Sequence, residues 1–287
     1  MKQKNKNNDS KKDKLSGAEG FEQYYGELYG ERWTDLKNAF LKENQAVEYH
    51  VTGAEKSYFL DSASVLAALC LPLEGAENIL DLCAAPGGKT LVLASRMPAD
   101  ARLSSNERSP ERKHRLSVVV ETCLPEEINS RITVSCSDGA VWCTRQTECF
   151  DRILLDAPCS SERHVMLDPK YLNTWSISRI KTVSMEQWAL LSSAYRMLTV
   201  DGILLYSTCA LCPQENDEMI ERLFKKFNKN GDCFELLDPS PDAKEIEKFV
   251  DMKLPLWEKT QYGYQILPDK QSGAGPIYFS IIHKIKS

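Results

Sequence analysis

From Asn78 onward, strand-length apolar runs alternate with amphipathic helical ones, and few architectures accommodate that order. "ENILDL" reads as a short strand and is followed by a helix from about Gly88. "ARLSS" is the next strand, and a helix opens at Ser109-Pro110, with serine as cap and proline in the first turn. "RITVS" and "RILLDA" follow as strands, then a long helix with Met185, Trp188, Leu191, Tyr195 and Leu198 on one stripe. "GILLYST" is a further strand, and the helix after Pro213 puts Met219, Ile220, Leu223, Phe224 and Phe227 on one face. Strand and helix taking turns predicts a parallel sheet covered on both faces. The closing runs "GYQILP" and "PIYFSIIH", joined by the turn-rich "DKQSGAG", predict an antiparallel hairpin. Ahead of the alternation, "GFEQYYGELYGERWTDLKNAFLKEN" and "DSASVLAALCL" read as helical.

The 287 residues suffice for one large core with a smaller attachment. We divide the chain into a basic tail (1–17) expected to be disordered, a helical extension (18–72) and a main domain (73–287). No run of eighteen apolar residues exists, so no membrane span is expected. The first seventeen residues carry six lysines and two aspartates, and they lack the apolar stretch of a secretory signal and the arginines of an organelle presequence. With the tail at +4 and the whole chain at −5, the remainder carries −9, so any polyanion must meet a local basic surface. Ten cysteines might suggest disulfides. However, Cys70, Cys83, Cys123 and Cys136 sit in or beside apolar segments, like small hydrophobes, which favours reduced thiols and a cytoplasmic location.

The glycine-rich "DLCAAPGGKT" at Asp81–Thr90 lies between the first core strand and its helix. A triphosphate-binding loop needs a glycine where Cys83 stands, and a dinucleotide fingerprint needs a spacing of glycines that Gly87-Gly88 cannot supply. What remains is a backbone-lined bend at a strand's carboxyl end, able to approach a carboxylate. Glu107, nineteen residues after Gly88, can accept both hydroxyls of a ribose, and Asp138 in "CSDG" can accept an adenine amine. Each acid alone reads as a solvated loop carboxylate; three such features at successive strand ends describe S-adenosylmethionine.

Two further strand ends speak to chemistry. "ILLDAPCSS" places Asp156 and Cys159, and "ILLYSTCALCPQEN" places Cys209, where neighbouring strands would gather them around one pocket. Carbon 5 of cytosine accepts a methyl group only after a thiolate adds to carbon 6 and an acid steadies the charge on the ring nitrogen. The target must be single-stranded or flipped from its stack. Alone, each cysteine reads as a small buried residue. Cys209 and Cys212 form a C-x-x-C pair with no second pair, and His50, His114, His164 and His283 are scattered, so no metal site is expected.

"DLCAAPGGKT", "LLDAPCSS" and "YSTCALCPQEN", in that order, with "YFLDSASVLAA" ahead of them, resemble the Nol/Nop/Sun family of RNA cytosine-5 methyltransferases. The resemblance runs from about Tyr58 to Phe279 and is closest to the short members without an added RNA-binding module. It implies an α/β fold, Rossmann-like and seven-stranded, of the S-adenosylmethionine-dependent methyltransferase type, its last two strands forming the hairpin. It also implies that Cys209 is the nucleophile and that Cys159 assists release of the product. Asp156 would touch both cofactor and cytosine. Cys83, Ala84, Ala85, Pro86, Gly87, Gly88, Lys89, Glu107, Arg112, Asp138 and Asp156 match the family's cofactor positions.

The implied partner is RNA, ribosomal RNA before transfer RNA, since a minimal enzyme can borrow shape from an assembling particle. A tRNA methyltransferase and a non-catalytic assembly factor of the same fold are the alternatives. The retained cysteines favour an enzyme over a scaffold. For the RNA surface we expect Arg179 and Lys181 ahead of Arg108, Arg112, Lys113, Arg115, Arg222, Lys225, Lys226 and Lys229, whose ordinary fate is a solvated helix face.

Overall fold

The structure is a computed structural model and describes residues 15–42, 46–229, 231–241, 246, 257–270 and 273–286. Most of the expected tail lies outside the described residues. A short hairpin, β1 (Ala46–Tyr49) with β2 (Tyr58–Asp61), precedes the main sheet. Five strands form the parallel part of that sheet: β3 (Asn78–Asp81), β4 (Arg102–Asn106), β5 (Ile132–Ser135), β6 (Phe150–Asp156) and β7 (Leu198–Thr208). Their spatial order is β5-β4-β3-β6-β7, every pairing parallel. The chain therefore moves outward from β3 and returns to its other side, which opens a crevice between the carboxyl ends of β3 and β6. In open α/β sheets that is where ligands bind.

The closing strands refine the expected hairpin. β10 (Tyr264–Ile266) pairs antiparallel with the first part of β11 (Ile277–Lys284), and β8 (Phe234–Leu237) pairs with its second part. β11 itself lies antiparallel against β7, with Tyr278 opposite Thr208. The nine strands thus fill eight positions, with β8 and β10 sharing the seventh and β9 (Glu258–Lys259) pairing with β10 as the eighth.

Other expectations shift in detail. The N-terminal run is two helices, Gly17–Tyr29 and Arg32–Phe40, broken at Gly30, whose positive φ of 56° suits glycine. On the long helix Ile177–Met197, Leu191 and Tyr195 are buried as expected. Met185 instead faces solvent, and Leu198 has already entered β7. The stripe drifts because Gln187 turns inward to the loops after β6 and β7 and Leu190 packs beside Gly139, after β5; a buried leucine there contributes about 2 kcal/mol. Cys70 and Cys123 are buried and Cys83 is half-buried, but Cys136 is exposed just beyond the end of β5, where the strand's apolar face has run out. Two apolar clusters flank the sheet, and a third joins Phe21, Tyr25 and Trp33 of the N-terminal helices to Trp175 and Leu211. No helix among the described residues is long and apolar enough to cross a membrane.

Candidate active site

The crevice at the carboxyl ends of β3 to β7 opens into a cavity of about 520 Å³, within the size range of small-molecule sites. Its walls bring together Cys83, Ala85, Pro86 and Lys89 after β3, Glu107 and Arg112 after β4, Asp138 after β5, Asp156 and Cys159 after β6, and Cys209 after β7. Ala84 and Gly88 line a smaller neighbouring pocket. Gly87 lines neither: its φ is +119°, and a side-chain carbon there would sit 2.9 Å from Val119. That glycine makes the turn; the residues around it present the surface.

The strand ends are held by short polar links. Asn106, buried at the end of β4, donates to the carbonyls of Leu82 (3.2 Å) and Ser137 (3.0 Å) and accepts from the Ser137 backbone N–H (3.1 Å). One amide thus sets the relative heights of three strand ends. Arg112 donates to the Ala85 carbonyl at 2.7 Å, closing the glycine-rich loop from outside. Glu107 Oε1 accepts the Ser109 N–H at 2.9 Å. Its Oε2 lies 3.1 Å from Arg112 Nη1, but at an angle that makes no hydrogen bond, so a buried carboxylate oxygen is left without a donor. An oxygen in that state beside a cavity suits a ligand hydroxyl. Asp138, exposed, accepts the Ala140 N–H with one oxygen (3.0 Å) and caps the 3-10 turn Gly139–Thr144.

Lys89 and Asp156 form the charged floor, with Nζ 2.7 Å from Oδ2. Burial works to depress Lys89, but the Asp156 charge and hydrogen bond outweigh it and leave the ammonium raised. Ser207 donates to the other Asp156 oxygen at 2.9 Å. The Cys159 and Cys209 sulfurs lie 2.7 Å apart as free thiols, and the Ser161 hydroxyl is 3.3 Å from Cys209. The Cys159 thiol is held well above its ordinary value, first by its hydrogen bond to Cys209 and then by burial. Cys212 is not part of this pair: it is buried, and its S–H donates to Glu215 at 3.1 Å. On the far side of Cys209 a groove of about 370 Å³ is lined by Asp61, Arg163, His164, Leu167 and Pro276. Asp61 caps the helix Ser62–Leu69 and accepts the Gly275 N–H at 3.0 Å, while Arg163 donates to the Gly273 and Gly275 carbonyls.

Several buried acidic side chains beside the site lie outside the sequence reading. Asp81 ends β3, fully buried, accepting the Thr90 hydroxyl at 2.6 Å. Its position in the first motif was a signal, but nothing in the sequence marked it as buried. Burial is the main cause pushing it up to about 7, with Asp156 adding to the rise and Thr90 and Lys89 opposing it. The folded protein therefore keeps this proton to higher pH than the unfolded chain. Stability from this group is full below about pH 4 and declines as pH rises toward about 7. Asp81→Asn should flatten that decline by about 2–3 kcal/mol between roughly pH 5 and pH 8. Chemical denaturation of both proteins at the two pH values checks this; equal declines would reject it. Glu162 and Glu215, both fully buried, are also new. Glu162 is pushed up to about 7 by burial and by Glu215.

Of the basic residues expected on the RNA surface, Arg108 pairs with Glu186, Arg115 with Glu111 and Lys225 with Glu221, and Arg222 covers the Trp188 ring at 4.3 Å. Arg179 and Lys181 are exposed near the start of the long helix.

Residues 68–275 match the family profile described as 16S rRNA methyltransferase RsmB/F. The mouse 5-cytosine rRNA methyltransferase NSUN4 is 29% identical over 79% of this chain and 60% of its own length. The zebrafish mitochondrial tRNA (cytosine(34)-C(5))-methyltransferase is 31% identical over 82% of this chain and 63% of its own. The chain thus spans about three fifths of the length of these curated relatives. A methyltransferase homologue from Pyrococcus horikoshii superposes with a TM-score of 0.66 at 21% identity, covering 92% of this chain and 94% of that one. This is a likeness of fold, the Rossmann-like arrangement of methyltransferases.

Proposed function

Because the chain belongs to the RsmB/F family, the Nol/Nop/Sun methyltransferases, we propose that it methylates carbon 5 of a cytosine in RNA, using S-adenosylmethionine. The observation that carries this is the pair of thiols at the ends of adjacent strands, 2.7 Å apart, opening onto a cavity floored by Lys89 and Asp156. Methyl transfer to an amine or hydroxyl needs no thiol, and a scaffold needs none either.

When bound, S-adenosylmethionine supplies an electrophilic methyl group on a sulfonium. The chain's residues fit it: the donor-free Glu107 oxygen for the ribose hydroxyls, Asp138 for the adenine amine, and the Cys83–Lys89 loop for the amino-acid end. The target cytosine enters by the groove beside Arg163 and His164 and meets Cys209. Cys159 Sγ lies 2.7 Å from Cys209 Sγ, close enough to hydrogen-bond it, and a nucleophile at this position must attack as its thiolate. Cys209 adds to carbon 6, and Asp156, taking a proton from the Lys89 ammonium 2.7 Å away, donates it toward the ring nitrogen as electron density builds there. After transfer a base takes the proton from carbon 5, Cys209 leaves, and Cys159 assists that release. Arg179 and Lys181 hold RNA phosphates.

We place ribosomal RNA ahead of transfer RNA on the family profile, and the enzyme in the cytoplasm on its cysteine usage. Ribosomal RNA and tRNA transcripts incubated side by side with labelled cofactor test this. Label in ribosomal RNA cytosines is expected; label in tRNA alone would move the substrate, and none in either would reject the reading. Bisulfite sequencing of RNA from cells with and without the gene would then give the position.

A further inference from the structure

Two fully buried carboxylates sit behind the thiols, and each reaches across from one cysteine loop to the other. Glu162, three residues after Cys159, accepts the Leu211 N–H at 3.0 Å, two residues after Cys209. Glu215, six residues after Cys209, accepts the Ser160 N–H at 2.9 Å, one residue after Cys159. The remaining lone pairs are engaged as well. Glu162 accepts the Tyr25 hydroxyl at 2.5 Å and the Ser160 hydroxyl, and Glu215 accepts Gln187 Nε2 at 2.8 Å and the Cys212 S–H. The Glu162, Glu215 and Cys212 donor atoms fall within 4.8 Å of one another, near enough for an ion, yet every carboxylate oxygen already has a donor from the chain.

Burying two like-charged groups this close carries a heavy desolvation cost, which an apolar pair of the same volume would avoid. Neither carboxylate lines the cavity, so substrate contact does not explain them. What they do accomplish is geometric. Beyond Ala157, whose N–H still donates to the Ser207 carbonyl at 2.8 Å, no backbone–backbone bond among the described residues joins the two loops, and the reciprocal carboxylate bonds take the ladder's place. Tyr25 and Tyr29, one turn apart on the helix Gly17–Tyr29, extend the bracing: Tyr29 donates to the Leu211 carbonyl at 2.9 Å.

We infer that Glu162 and Glu215 are positioning residues: reciprocal braces that lock the loop of Cys159 to the loop of Cys209 and so fix the spacing of the two sulfurs. The importance of that spacing for catalysis rests on the proposed function, but the spacing can be read without RNA or cofactor. Oxidised glutathione serves as a ruler. One thiolate attacks it, releasing one glutathione thiol and forming a mixed disulfide. The second cysteine displaces the other glutathione, and the pair's two electrons leave with the two reduced glutathiones.

The experiment measures the rate of Cys159–Cys209 disulfide formation by peptide mapping in the full chain, alongside kcat and KM for RNA. Glu162→Ala and Glu215→Ala should close the disulfide about ten- to a hundredfold more slowly than the unaltered protein. Their kcat should fall by a similar factor, with KM within about twofold. Glu215→Gln, which keeps an oxygen for the Ser160 N–H, should recover most of the rate. Should the alanine variants not fold, Tyr25→Phe, which removes one hydroxyl, is expected to slow closure by a few-fold. Wild-type closure rates in the folded alanine variants, or in Tyr25→Phe if those do not fold, would overturn the proposal, as would an unaltered protein that forms no disulfide. If no RNA is methylated but the variants still close slowly, the braces stand and only the assigned chemistry fails.

Discussion

Cys209→Ala is expected to bind RNA about as well as the unaltered protein and to transfer no measurable methyl group, a loss of about 10³-fold or more. Cys159→Ala is expected to do something different: form the covalent adduct and fail to let it go. A protein–RNA band surviving denaturing electrophoresis should therefore appear with Cys159→Ala and be absent with Cys209→Ala. The reason lies in the arrangement of the pair. The sulfurs are 2.7 Å apart, so removing either leaves the other in place beside the Lys89–Asp156 floor. Only the sulfur that attacks carbon 6 can form the bond. The reverse pattern of bands would exchange the two roles while leaving the chemistry intact.

Asp156 should show the second large effect, and two separable consequences follow from its contacts. Asp156→Ala removes the partner of a largely buried lysine, whose side chain is 12% exposed, leaving an ammonium with no counter-charge at 2.7 Å. Breaking a fully buried pair costs about 3–5 kcal/mol; with Asp156 itself 31% exposed, solvent screening reduces the expected loss to about 1–3 kcal/mol. On the proposed chemistry activity should fall further, by about 10²- to 10⁴-fold, because the ring nitrogen would lose its donor in the transition state. The double variant Asp156→Asn with Lys89→Met separates these effects. Removing both charges should restore stability by thermal melting, and turnover should stay at the level of the single Asp156 variant. Recovery of turnover would mean that Asp156 acts only by balancing Lys89.

The parts of this site visible in the sequence were those that follow from local order. Strand ends are marked by apolar runs stopping at a polar residue, so the sequence alone assigns Glu107, Asp138, Asp156 and Cys209 to one rim. Position along a strand determines height in the sheet, and parallel strands share one carboxyl edge. The functions of Gly87 and Asn106 were less legible. One is a backbone conformation, and the other is a hub on β4 whose partners come from the ends of β3 and β5. Glu162 and Glu215 were invisible for a stronger reason. Glu162 meets Leu211 and Tyr25 across 49 and 137 positions of chain, and a glutamate that begins a helix ordinarily reads as a solvated first-turn charge. The burial of Met185 was overestimated on similar grounds, since periodicity gives the face of a helix but not how far the neighbouring loops extend along it.

β11, which follows β7 by about seventy residues, is an interior strand of the sheet. Tyr278 of β11 pairs with Thr208, the residue before Cys209, so during translation β7 presents an unpaired edge until about seventy more residues have left the ribosome. Nascent chains stalled before Lys284 would expose that edge, a template for wrong pairing and a target for chaperones. Synthesis and site assembly are thereby coupled: a product terminated before β11 lacks the strand that pairs with Thr208 and sets the height of the neighbouring Cys209.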